Sequence, residues 1–210
     1  YNSCGNSTGS SLAITINPTL PMPGVITGTS PHCSGTTGVV YSIAAVGGAT
    51  GYAWTVPTGA TITAGANTTS ITVTFGSNSG NVSVGAINAC GTGTARTYAV
   101  TVNTTPATPG TITGLTTICP TTTNNYSIAA VSGATSYIWT LPGGWTGSST
   151  TTNINATATA TGGNVSVQAS NTCGTSASNS LAVTVGTGLS VSGATRCGTG
   201  VVNLQVLSAG

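Results

Sequence analysis

The chain has 210 residues, 38% of them apolar and 31 of them Gly, with Lys+Arg 2, Asp+Glu 0 and His 1. A length of this order holds one or two domains. Without a carboxylate there is no acid pair for glycoside hydrolysis and no Asp-His-Ser triad. The formal +2 carried by Arg96 and Arg196 is too small to hold nucleic acid.

No apolar run approaches the roughly 18 residues that cross a membrane, and no signal-like segment opens the chain. Uncharged, alternating segments rich in Val and Ile can bury a core, which argues against disorder.

Taken in order, residues 1–17 read as the end of a repeat, NSCG followed by a strand carrying Leu12, Ile14 and Ile16. PTLPMP (18–23) is a Pro-stiffened joint, and TTPATP (104–109) is its counterpart. In the first repeat, strands are expected near 24–28, 39–46, 51–56, 70–75, 81–88 and 96–102. The alternation turns Ile26; Tyr41, Ile43, Ala45; Tyr52, Trp54, Val56; Ile71, Val73, Phe75; Val82, Val84, Ala86; and Tyr98, Val100, Val102 inward. In the second repeat the inward set is Ile112; Tyr126, Ile128, Ala130; Tyr137, Trp139, Leu141; Ile154, Ala156, Ala158; Val165, Val167, Ala169; and Leu181, Val183, Val185. Ala156 and Ala158 stand where Val73 and Phe75 stood, so the second core is expected to be thinner. Short strands with Gly, Asn and Thr turns about every ten residues spell an antiparallel sandwich.

The repetition is explicit. PGVITG (23–28) returns as PGTITG (109–114), and YSIAAV (41–46) returns unchanged at 126–131. GATGYAWTVPTGA (48–60) returns as GATSYIWTLPGGW (133–145), GNVSV (80–84) returns at 163–167, and NACG (88–91) returns as NTCG (171–174). Cys4 and Cys90 lie 86 residues apart, Cys90 and Cys173 83. The order is kept throughout, so the chain holds two full repeats of about 85 residues.

The expected organisation is therefore 1–17, the end of a preceding repeat; 18–103, repeat 1; 104–186, repeat 2; and 187–210, the start of a further module. The sandwich bodies are expected over about 21–103 and 107–186. A partial module at each end suggests a window cut from a longer polypeptide, with strand donation between molecules as the alternative.

The order PG-x-ITG, Cys, YSIAAV, GAT-x-Y-x-W-T-x-P, GNVSV, N-x-CG and a closing Val/Leu strand resembles the PKD-like repeats, relatives of the polycystic-kidney-disease immunoglobulin-like domain. The resemblance covers roughly 18–186, and ATRCGTGVVNL (194–204) is similar to the opening of related Ig-like repeats. It implies tandem antiparallel immunoglobulin-like β-sandwiches in a large bacterial surface protein exported by the type IX secretion route. Gliding-motility adhesins and appendages of secreted enzymes are of this kind. The parent domain carries W-x-F-G-D-G after its central strand. Here Trp54-Thr55-Val56-Pro57-Thr58-Gly59 lacks the Asp, so no role of that Asp is carried over.

Other chemistry is sparse. A Ca²⁺ site would rest on carbonyls and waters alone, a poor set for a hard dication. His32 is the sole imidazole; Cys33 is adjacent, but nothing in the sequence orients the ring, and an exposed loop histidine is expected. No C-x₂-C spacing supports zinc. N-x-[ST] matches such as Asn81 and Asn164 follow from composition. Trp145, where the first repeat has Ala60, is read as a second core indole in preference to a sugar-stacking platform. The irregular Thr spacing argues against an ice-binding surface.

The cysteines recur at two places in each repeat, before the second strand and after the penultimate one, which reads as disulfides. The expected bridges are Cys33–Cys90 and Cys119–Cys173, with partners outside the window for Cys4 and Cys197. A bridge between neighbouring repeats, Cys33–Cys173, is the alternative, because in an immunoglobulin topology those two loops lie at opposite poles. The structural core is expected to centre on Trp54, Trp139, Tyr52, Tyr137, Tyr41 and Tyr126. No catalytic residue, metal or cofactor is expected. Neighbouring repeats, identical chains and surface glycans are the expected partners, with neither nucleic acid nor membrane insertion. A structural spacer and a carbohydrate-binding accessory module are the two function classes. An aromatic row on an exposed sheet face would favour the second.

Overall fold

The computed structural model describes residues 19–186 and, by backbone alone, 189–191 and 194–196. The chain forms two compact units, Tyr1–Val102 and Asn103–Gly210. Among the described residues every regular element is a strand. The stretches read as a preceding repeat end (1–17) and as a further module (187–210) lie outside the described residues. The exception is a short antiparallel backbone pair at Leu189–Val191 and Ala194–Arg196.

The first unit runs β1 (His32–Cys33), β2 (Val39–Ser42), β3 (Gly51–Thr55), β4 (Thr61–Ala64), β5 (Ser70–Thr74), β6 (Gly80–Asn88), β7 (Gly91–Thr92), β8 (Arg96–Val100) and β9 (Val102–Asn103). One sheet has the order β2-β5-β4; the other is β3-β6-β8, with β7 also on β6 and β1 paired to β9. Both sheets are antiparallel, with Tyr41 opposite Ile71 in the first and Trp54 opposite Val84 in the second. The period-two alternation does what it must in a strand covered on one face. Tyr41, Ile71 and Val73 from one sheet and Tyr52, Trp54, Val82, Val84, Ala86 and Val100 from the other share a single core.

The second unit has β10 (Thr117–Ile118), β11 (Thr123–Ser127), β12 (Ser136–Thr140), β13 (Asn153–Thr157), β14 (Gly163–Asn171), β15 (Gly174–Thr175) and β16 (Asn179–Val185). One sheet is β11-β13; the other is β10-β16-β14-β12, in which β10 runs parallel to β16. An opening strand parallel to the closing one, over otherwise antiparallel sheets, is an immunoglobulin-like arrangement. The fold class read from the sequence is the one observed.

Several local expectations are corrected. The strand expected near 24–28 is only an isolated bridge, Thr27 to Ser42, although Ile26 is buried. β2 and β11 stop at Ser42 and Ser127, so Ala45 and Ala130 face solvent and not the core. There the chain turns away, and the Val46 and Val131 N–H groups donate to the Tyr52 and Tyr137 hydroxyls at 2.9 and 2.8 Å. β4 went unread in the sequence because TITA alternates only weakly; its pairing with β5 is irregular. In the second unit its counterpart shrinks to one bridge, Thr146 to Thr157.

The cores differ by a compensating exchange. Phe75 packs edge-on to Tyr41 at 6.2 Å in the first unit. In the second unit Ala158 replaces Phe75, and the buried Trp145 packs against Tyr126 at 6.5 Å. Its indole N–H reaches the Thr161 carbonyl at 2.8 Å, so the one polar atom of the ring is satisfied. Trp145 is thus a core residue.

Candidate functional site

Aromatic side chains are the residues that would form a sugar-binding surface. Tyr41, Tyr52, Trp54 and Phe75 are buried in the first unit, and Tyr126, Tyr137 and Trp145 in the second. Trp54 donates to the Thr68 carbonyl at 2.8 Å. Tyr98 is half-buried against the first core and donates to the Gly28 carbonyl at 3.2 Å. The large apolar side chains that do reach solvent are aliphatic: Met22, Val25, Val40, Leu115 and Ile138. No row of exposed aromatics forms among the described residues.

Trp139 departs from expectation, being half-buried at the edge of its core and not within it. The segment that covers the indole explains the difference. From Trp54 to Ile71 there are 17 positions, and from Trp139 to Ile154 only 15. In the first unit that segment includes β4 and Asn67, whose Oδ1 accepts from the Tyr52 N–H at 2.9 Å. In the shorter version the Thr150 carbonyl takes over, accepting from the Tyr137 N–H at 3.0 Å. The Trp139 N–H still finds a carbonyl, that of Thr151, at 2.9 Å.

His32 is not a loop residue. It lies in β1, half-buried, and its ring stacks on Phe75 with centroids 5.0 Å apart at 15°. The Thr29 carbonyl accepts from both His32 Nε2 at 2.7 Å and the Tyr41 hydroxyl at 2.8 Å. Burial pushes the Tyr41 phenol up to about 12, with Tyr98 adding to the shift, and burial also raises Tyr126. The His32 ring and the Tyr41 hydroxyl thus meet at one backbone oxygen and anchor the 29–32 segment. Cys33 beside it is disulfide-bonded and is therefore no thiolate nucleophile.

Cys119 and Cys173 are disulfide-bonded as well. The N-x-C-G tips have a shared geometry. Asn88 Oδ1 accepts from the Cys90 N–H at 2.9 Å, and Asn171 Oδ1 from the Cys173 N–H at 2.8 Å. Gly91 and Gly174 follow at φ +118° and +138°, values that side-chain-bearing residues rarely adopt. Each tip presents its cysteine at one end of a nine-residue strand, β6 or β14.

Cys33 and Cys119 sit at the other end. Beside Cys33, the His32 N–H bonds to Thr101 and the Gly35 N–H to Phe75. Beside Cys119, the Thr121 N–H bonds to Ala158, and Gly186 bonds to Ile118. A nine-residue strand spans about 26 Å, whereas bridged cysteines need Cα atoms within about 7 Å. The bridges expected inside each repeat, Cys33–Cys90 and Cys119–Cys173, would have to span that length.

Among the described residues no cluster of His, Cys, Asp or Glu could hold a metal ion, and no helix is long and apolar enough to cross a membrane.

Comparison with solved structures finds weak likenesses. Extracellular domains 3–5 of Drosophila OTK match at 16% identity and TM-score 0.42, over 79% of this chain and 63% of that one. The C-terminal 282-residue fragment of intimin, solved with its receptor's binding domain, matches at 13% and 0.47, over 77% and 64%. The Escherichia coli adhesin FdeC matches at 13% and 0.38, over 83% and 68%. The chain spans less than two thirds of the OTK and intimin fragments. No curated protein sequence matches this chain. The family model of the PKD-like domain matches twice, over residues 19–100 and 105–183, so the chain belongs to the PKD-like domain family.

Proposed function

We propose that this chain is a non-enzymatic structural spacer of an extracellular bacterial adhesin or surface fibre, built from consecutive PKD-like modules. PKD-like modules are typically non-catalytic. The observation that carries the reading is the burial of the aromatics: the residues that would stack on a sugar are spent on two cores. The module boundaries we assign are 18–103 and 104–186, with 1–17 belonging to a preceding repeat and 187–210 to a following Ig-like module. Its resemblance to gliding-motility adhesins suggests export by the type IX route.

The near absence of charge supports a surface that meets other surfaces. Exposed strand edges are normally guarded by Lys and other charges, and solubility normally draws on net charge. Here the chain carries Lys+Arg 2 and Asp+Glu 0. Neighbouring repeats, identical chains and surface glycans are the coverings we assign to the edges. The purified 1–210 chain is then expected to self-associate, with little response to salt because there are few charges to screen. Sedimentation velocity and small-angle scattering across a salt series test this. A compact monomer that binds a soluble oligosaccharide tightly would replace the spacer with a carbohydrate-binding accessory module.

A further inference from the structure

Two differences between the repeats fall on one part of the second unit. The cross-strand pair Val40–Thr72 of β2 and β5 becomes Asn125–Asn155 of β11 and β13, and Ser42–Ser70 becomes Ser127–Asn153. Asparagine is depleted in strands, so folding does not ask for three of them there. The intervening Tyr126, Ile154 and Ala156 are buried, whereas Asn125, Asn153 and Asn155 are exposed on the outer side of the sheet. Asn125 Nδ2 donates to Asn155 Oδ1 at 2.9 Å. That bond uses one amide's nitrogen and the other's oxygen, which leaves an acceptor on Asn125 and a donor on Asn155 for a ligand. The second difference is the shorter segment over Trp139, which leaves this indole half-buried while Trp54 is covered. The two places are joined. The Thr151 carbonyl accepts from the indole N–H at 2.9 Å, and the Thr151 hydroxyl donates to Asn153 Oδ1 at 3.0 Å and meets Ser149 Oγ at 3.0 Å. These groups are already held by one another, so a ligand need not order them.

We propose that the outer face of β11 and β13, together with the rim of Trp139, is a binding surface for a neutral polysaccharide. Sugar hydroxyls donate and accept, as the amides and hydroxyls here do, and the uncovered part of the indole offers apolar surface to the C–H face of a pyranose ring. Neither arginine lies in β11, in β13 or between Trp139 and Asn153, and the chain has Asp+Glu 0, so a charged ligand finds no counter-charge here. An apolar partner would strip water from the amides and return no hydrogen bonds. A single half-exposed indole holds one oligomer weakly, and a fibre of many modules holds a long polymer by multivalency. This inference rests on the reading of surface glycans as a covering of the spacer, and names where on the second repeat they sit.

Saturation-transfer NMR on the full chain tests this, because saturation passes from protein to bound sugar whatever the size of the assembly. The probes are maltohexaose, cellohexaose, mannohexaose and chitohexaose, and transfer to at least one is expected. The same sugar should shield one indole of the three from acrylamide, a measurement that needs no variant. The triple variant Asn125→Val, Asn153→Ser, Asn155→Thr carries the residues with which the first repeat folds, and its affinity should fall about tenfold, the loss of two neutral hydrogen bonds. No transfer to any of the four sugars, undiminished transfer in the triple variant, or quenching that a bound sugar leaves unchanged would overturn the proposal. Quenching that weakens as the sugar-free protein is concentrated would put a second copy on this face and overturn it too. Failure of these tests with self-association intact leaves the spacer reading standing. A compact monomer holding sugar tightly at this face removes the spacer reading and keeps the site.

Discussion

Gly28 lies against the ring of Tyr41 so closely that a Cβ there would fall inside the ring's van der Waals surface, and Gly114 stands in the same relation to Tyr126. This is the physical content of the repeated PG-x-ITG motif: the glycine is needed because the fully buried tyrosine occupies the space a side chain would take. Gly28→Ala and Gly114→Ala are each expected to destabilise by about 1–3 kcal/mol, the cost of pushing a ring from a packed core. Gly24 and Gly110, with nothing within 4 Å, serve as controls. Urea denaturation of the four variants gives the comparison, and equal losses at all four would refute the packing account.

The tryptophans should not be equivalent. Trp54 and Trp145 are each 7% exposed, and truncation to Ala should cost about 3–5 kcal/mol. Trp139 keeps part of its surface in water, so Trp139→Ala should cost less, about 1–3 kcal/mol. Fluorescence-detected unfolding of the single variants decides the order. A Trp139 variant as damaged as the Trp54 variant would show that the indole is buried in solution.

Asn67 does in the first unit what a backbone carbonyl does in the second. Asn67→Ala leaves the Tyr52 N–H without its acceptor and is expected to cost about 1–2 kcal/mol. Thr150→Ala keeps the carbonyl that serves Tyr137 and should be nearly neutral. Thermal denaturation measures both; an unaffected Asn67 variant would mean that water replaces the amide without loss.

Stability should barely change in acid. Acid unfolding comes mainly from protonating carboxylates held ionised by the fold, and this chain has no Asp or Glu to protonate. Between about pH 5 and pH 2 there is no side-chain carboxylate to protonate. Denaturation midpoints should therefore be flat there, and a steep fall would point to a proton-linked event that the structure does not contain.

The alkaline side should behave differently. Tyr41, held at about 12 by burial, has a folded-state value above its ordinary 10.0, so its neutral form favours the fold. That contribution is complete below pH 10 and is lost as the pH rises from about 10 through 12. Tyr126 adds in the same direction. Denaturation midpoints at pH 9, 10, 11 and 12 should fall progressively, and phenolate absorbance should show late-titrating tyrosines. Unchanged stability across that range would contradict the burial of both phenols.

Much of this architecture is legible one repeat at a time. Alternation placed Tyr41, Ile71, Val73, Val82, Val84 and Ala86 on one face, because a strand covered on one side allows no other pattern. The internal copy then settled the number of modules. Ala45 and Ala130 misled because an alternation read through a small residue carries little burial energy, and the chain turned before reaching them. His32 was unreadable as a packed ring, since its partner Phe75 lies just beyond β5, far along the chain.

The sequence by itself determined the all-β class, the two repeats, the absence of Asp and Glu and the presence of paired cysteines, all of which depend on residue types and local spacing. Tertiary structure alone decided which indoles are buried, because that turns on the length of the segment folded over each ring. It also decided where the cysteines lie within each unit: N-x-C-G specifies the turn that carries the sulfur, but only the run of β6 and β14 sets how far that turn lies from Cys33 in the first unit and from Cys119 in the second.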